Sequence, residues 1–173
     1  TAIGRSALAG AGSECGDGAG STYSTGSYNT ALGAESLYKT TSGAYNAAVG
    51  YQSSYSNTTG SYNVAMGYQA LYSNAEGSNH TALGYQAAYS NTTGTGITAI
   101  GYQALYSVTT EGSLTAIGYQ AAKSNTTGTG TVAVGYQVLT ANTTGGYNNA
   151  LGYRAMYSNT TGGSNNAFGR ESL

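Results

Sequence analysis

The tripeptide Ala-aliphatic-Gly returns along this chain at a constant interval. Its glycines are Gly33, Gly50, Gly67, Gly84, Gly101, Gly118, Gly135, Gly152 and Gly169, each 17 residues after the last. Gly4 belongs to the same series but lies 29 residues before Gly33, so 12 extra residues intervene. The unit reads N-T-A-I-G-Y-Q-A-L-Y-S-N-T-T-G-S-Y. A period held without insertion or deletion means that unit length is itself constrained, as when each unit is one turn of a stack. Organisation follows directly: one repeat array over 1–173, with a partial coil at 1–8, a Gly-rich insert at 9–20 and regular repeats over 29–173.

Seventeen residues are too few for a helix pair, which needs about 33. Tyr, Asn, Gly and β-branched residues throughout also disfavour helix. The pattern predicts an all-β parallel solenoid, or β-roll, of 17-residue coils. N-T-A-I-G is expected as one strand and A-L-Y-S as a second. Y-Q joins them and N-T-T-G-S-Y forms the longer turn, where Asn and Gly tolerate left-handed backbone.

Stacked coils bring residues 17 apart within about 4.8 Å, so side chains should form ladders. One tyrosine row is Tyr51, Tyr68, Tyr85, Tyr102, Tyr119, Tyr136 and Tyr153; beside it run Gln52, Gln69, Gln86, Gln103, Gln120 and Gln137. A second tyrosine row, Tyr38 to Tyr106, is interrupted by Lys123 and Thr140 and resumes at Tyr157. An asparagine row runs Asn57, Asn74, Asn91, then Val108, then Asn125, Asn142 and Asn159. Strand alternation sets Thr30 and Leu32 on one face and Ala31 and Gly33 on the other. The bare Ala/Gly face predicts close approach of another backbone. A lone thin coil buries too little to offset its ordering entropy, so several chains are expected to pack through those Ala/Gly faces.

Charge enters as an exclusion. Asp, Glu, Lys and Arg make up 6% of the chain and the net charge is −1, against roughly 25% charged residues in ordinary domains. Like charges repeated at ladder spacing would repel, which accounts for their scarcity. No basic stripe exists to neutralise phosphates, so nucleic acid is an unfitting partner. No apolar run approaches the ~20 residues of a membrane helix. The chain opens inside a repeat, at Thr1, and reads as a fragment or mature segment. Cys15 is the only cysteine, so no intramolecular disulfide framework is possible.

Thr98-Ala99-Ile100-Gly101, at fixed spacing, resembles the head repeats of trimeric autotransporter adhesins (YadA-like). The fuller string G-Y-Q-A-L-Y-S-N-T-T-G resembles repeats of phage and virus tail-fibre-like proteins and bacterial fibre proteins. The resemblance covers nearly the whole chain. It implies a left-handed parallel β-roll in a homotrimer and an adhesive or host-attachment fibre, at a cell surface or on a virion. Adhesin head units are shorter than this one, and the extra length sits in the N-T-T-G-S-Y turn.

Little in the chain suggests catalysis. His80, the only histidine, stands in an Asn slot and reads as a ladder substitution, without partners for a triad or metal site. Cys15, with Glu14 and Asp17 nearby, reads as a free thiol in a Gly-rich loop rather than an interchain disulfide or a metal ligand. The acids are dispersed along the rod, and the single Asp excludes calcium-binding nonapeptide repeats. Asn57, Asn79, Asn91, Asn125, Asn142 and Asn159 match the N-glycosylation acceptor, although the repeat itself generates five of the six. Adjacent pairs such as Thr58-Thr59 lack the T-x-T spacing of an ice-binding face. The expectation is a non-enzymatic, cofactor-free spacer acting by self-association, with a cell-surface glycan or protein as a further partner. A self-assembling extracellular filament is the alternative. A carbohydrate-binding module is a third reading, one that exposed tyrosines would favour.

Overall fold

The computed structural model describes residues 1–8 and 25–173. Ten short strands form one parallel sheet in chain order: β1 (Ala2–Ile3), β2 (Thr30–Leu32), β3 (Ala47–Val49), β4 (Val64–Met66), β5 (Thr81–Leu83), β6 (Ile97–Ile100), β7 (Leu114–Ile117), β8 (Val132–Val134), β9 (Asn149–Leu151) and β10 (Asn166–Phe168). The chain is an all-β parallel solenoid with no helix among the described residues. Nine steps at about 4.8 Å give a rod about 43 Å long.

Register is fixed by the period. Ala31 pairs with Ala48, Ala48 with Ala65, and so on to Ala150 with Ala167. The stack continues across the 12 extra residues: Ala2 pairs with Ala31 and Ile3 with Leu32. Ala7 is buried, and the Leu8 amide donates to Ser36 O. The ladder is therefore unbroken at the flanks of the insert, contrary to the break that the spacing suggests. The insert itself, with Cys15, Glu14 and Asp17, lies outside the described residues.

The expected second strand does not form. After each strand's glycine the backbone alternates in hand, with positive φ at Gly50 (126°), Gln52 (53°) and Ser54 (49°), and the same pattern in every full coil. An extended strand would send consecutive side chains to opposite faces. Here two consecutive residues turn inward together: Ala70 and Leu71, Ala104 and Leu105, Val138 and Leu139, Ala155 and Met156. Alternate amides still bridge coils, Ser54 N to Ala70 O at 2.8 Å and Ser56 N to Tyr72 O at 3.0 Å. The segment is thus zipped like a sheet without being one.

The faces of the strand are the reverse of those expected. Ala31, Ala48, Ala65, Ala82, Ala99, Ala116 and Ala133 are fully buried inside the coil, against the Ala-Leu pairs of the turn segment. The aliphatic row points outward. The closest approach to each glycine comes from its own chain, since a Cβ on Gly50 would lie 2.5 Å from Gly67 O in the next coil. The Ala/Gly face is therefore the core of one chain and cannot be its contact with another.

Candidate functional site

Two buried rows of side chains line the polar end of the coil interior. In the first, Asn46 donates Nδ2–H to Gly60 O (2.9 Å), while Asn29 Oδ1 receives the Asn46 amide (2.9 Å) and Asn46 Oδ1 receives that of Asn63 (3.0 Å). In the second, Asn57 and Asn74 hold the turn by donating to Gly60 O and Gly77 O, each at 2.9 Å. Asn74 Nδ2 also reaches Asn57 Oδ1 (3.0 Å), and Asn91 Nδ2 reaches Asn74 Oδ1 (2.8 Å). Gly60 O thus receives one donor from each row. The first row was not legible as a ladder, because its slot changes identity in mid-rod to His80, Ile97, Leu114 and Thr131.

His80 sits in that first row and is buried. Its Nδ1 accepts the Ile97 amide at 3.2 Å, which assigns the proton to Nε2, beside Gly94 O and Asn91. Burial holds its pKa down at about 4, partly offset by the bond to Gly94. Val108 replaces asparagine in the second row, so nothing donates to the buried Asn91 Oδ1. Thr40, in the same row, has an unpartnered buried hydroxyl.

The outer surface carries three parallel rows on the turn segment. Each Gln Nε2 donates to the preceding Gln Oε1, from Gln69 to Gln52 (2.8 Å) through Gln137 to Gln120 (3.1 Å). Such a one-way chain needs a pure acceptor at one end and a pure donor at the other. Glu35 supplies the first, accepting from Gln52 at 2.7 Å, and Arg154 the second, donating Nε–H to Gln137 at 3.1 Å. Both terminators occupy the Gln slot and were missed by a reading that looked only for Gln.

Tyr51 to Tyr153 form a continuous stack of seven rings, 5.1–5.4 Å between centroids. Tyr38 to Tyr106 form a second stack at 5.1 Å. Desolvation, followed by the neighbouring phenols, raises the pKa of Tyr55 and Tyr89 above the ordinary 10. The Arg154 guanidinium lies over both Tyr153 and Tyr157 (5.4 and 5.0 Å), so the Gln row runs between the two stacks. Tyr28, Tyr45 and Tyr62 make a third, shorter stack that sequence reasoning missed. Rings of the Tyr51 row are about 42% exposed. The near-parallel stacking covers their faces with neighbouring rings, leaving edges and hydroxyls to solvent. That geometry gives a sugar few free ring faces on which to stack.

Four of the six sequon asparagines, Asn57, Asn91, Asn125 and Asn142, are fully buried with their amides bonded inside the coil. They offer no acceptor in the folded rod. Asn159 is half-buried in the same ladder, and Asn79 is exposed at a turn. The turn threonines are committed too: Thr58 Oγ1 donates to Ala75 O, Thr92 to Thr109 O and Thr126 to Thr143 O. No cluster of three His, Cys, Asp or Glu that could hold a metal occurs among the described residues. No helix is long and apolar enough to cross a membrane.

These features define a class, a ladder-built parallel β-solenoid. Comparison with protein-family models, curated proteins and solved structures finds no match.

Proposed function

We propose that the chain is a rigid shaft segment of an extracellular or virion fibre of the adhesin or tail-fibre type, working as a homotrimeric spacer for surface or host attachment. The observation that carries this reading is the unbroken ten-stranded register, with continuous tyrosine, glutamine and asparagine rows along one axis. In such a rod every coil is held by its neighbours, so stiffness accumulates with length while no concave pocket is needed. The low charge and covered tyrosine faces suit a spacer better than a catalyst or a sugar-binding module. The mechanism is mechanical: the shaft holds a binding end away from its base and resists proteolysis, because so little backbone is unpaired.

Native mass spectrometry with electron microscopy of the same sample tests the proposal. Discrete trimers seen as short, straight, protease-resistant rods are expected. Open-ended fibres of variable length would replace the shaft with a self-assembling filament. Compact or flexible particles would overturn both.

A further inference from the structure

We infer that the outward face of the strands is the surface through which copies of this chain associate, side by side, parallel and in register. This deepens the shaft reading and rests on it. The row Ile3, Leu32, Val49, Met66, Leu83, Ile100, Ile117, Val134, Leu151 and Phe168 runs the length of the rod, one aliphatic or aromatic side chain per coil. Exposure is 45% at Leu32, 48% at Leu151 and 68% at Phe168. Isolated surface apolar residues need no explanation, but an uninterrupted stripe does.

Charge placement points to the same face. Among the described residues every Lys, Arg and Glu side chain follows a strand's closing glycine by one to ten positions, from Arg5 and Arg170 nearest to Glu111 farthest. None falls on the strands or the turn just before them. The strand half of the coil is thus uncharged from end to end, and all charge rests on the turn half. A partner protein of opposite charge has nothing to recognise there. A second copy of the same uncharged stripe fits it.

Orientation follows from the neighbouring row, Thr30, Ala47, Val64, Thr81, Thr98, Thr115, Val132, Asn149 and Asn166. It is graded, with Asn at one end and Thr, Ala and Val at the other. Asn149 already donates to Asn166 at 2.9 Å on the surface. Parallel copies about an axis along the rod set Asn beside Asn, where amides can pair. Antiparallel copies would bury them against Ala47 and Thr30, leaving polar groups unpaired. A stripe about 43 Å by roughly 15 Å offers some 650 Å² per copy, or about 1,300 Å² per contact, which clears the lower bound for a specific interface.

The experiment introduces charge on this face and on a control face. Ile100→Lys and Tyr102→Lys lie two residues apart, one on the strand stripe and one on the tyrosine row. Sedimentation velocity is read alongside circular dichroism. Expected is an oligomeric parent, a folded monomer for Ile100→Lys and an oligomer for Tyr102→Lys. An Ile100→Lys oligomer as tight as the parent overturns the proposed face and leaves the shaft reading standing. A parent that is a folded monomer overturns the face outright, while rod shape in electron microscopy still judges the shaft. Orientation is read separately in a Cys15→Ser background. Leu32→Cys alone should form disulfide-linked dimers; linkage only on mixing Leu32→Cys with Leu151→Cys chains would contradict parallel register.

Discussion

Two stretches of the same interior solve one packing problem differently. Around Asn46–Asn74 both buried rows are asparagine, and each amide is donor to one coil and acceptor from another. Around Ile97–Leu114 the first row turns apolar and the second carries Val108, with no polar group in either slot of the Ile97 coil. The slots therefore do not require asparagine; they require side chains that agree with one another. The penalty appears only at the boundary, where Asn91 Oδ1 faces Val108 without a donor. His80 bridges the same boundary in the other row, keeping one acceptor for the Ile97 amide.

Breaking the polar stretch should cost most. Asn74→Ala removes the donor to Asn57 Oδ1 and the acceptor of Asn91 Nδ2, two buried groups at about 1–3 kcal/mol each. Chemical denaturation should show a loss of about 4 kcal/mol, well above that of Val108→Ala in the apolar stretch. Equal losses would erase the distinction.

The boundary histidine gives the next largest effect, through pH. Its ordinary pKa of 6.5 is lowered to about 4 in the fold. The unfolded chain therefore takes up a proton below pH 6.5 that the folded chain refuses. Stability should be full above pH 6.5, fall as pH drops towards 4, and level off below. The whole change is on the order of 3 kcal/mol. His80→Asn should flatten that slope; an unchanged slope would assign it to other groups.

Rebuilding the polar pattern sharpens the comparison. Val108→Asn alone sets an amide beside Ile97 and should destabilise by about 1 kcal/mol, although it offers Asn91 Oδ1 a donor. Combined with Ile97→Asn it restores the arrangement of Asn46 and Asn57. A double-mutant cycle should then give a favourable coupling of about 1 kcal/mol. The smallest effect belongs to the half-exposed outer row, where Gln103→Ala should cost under about 1 kcal/mol.

The period, the parallel register and the outer Tyr and Gln rows were legible because identity repeats at each slot. What was hidden depends on backbone that the residue types do not announce. Gln52 and Leu71 give no sign of left-handed φ, a region that Asn and Gly usually mark. That alternation turns the expected second strand into a segment burying consecutive side chains. It also draws Ala31 and its equivalents into the core and sends Leu32 and Ile100 outward, reversing the faces inferred from side-chain size. The row from Asn29 to Asn165 was obscured by its four central replacements. Glu35 and Arg154 were overlooked because their role is to differ from the row they end.

The most direct test of the account is deletion within the array. Removing the 17 residues 85–101 joins Gly84 to Tyr102 and should leave every ladder intact, one coil shorter. Removing 14 residues from the same place should shift every slot. The account predicts near-parental cooperative unfolding and a rod shorter by about 4.8 Å for the first, and loss of cooperative folding for the second. Equal damage from both would contradict it, because unit length would then not be what holds the rod together.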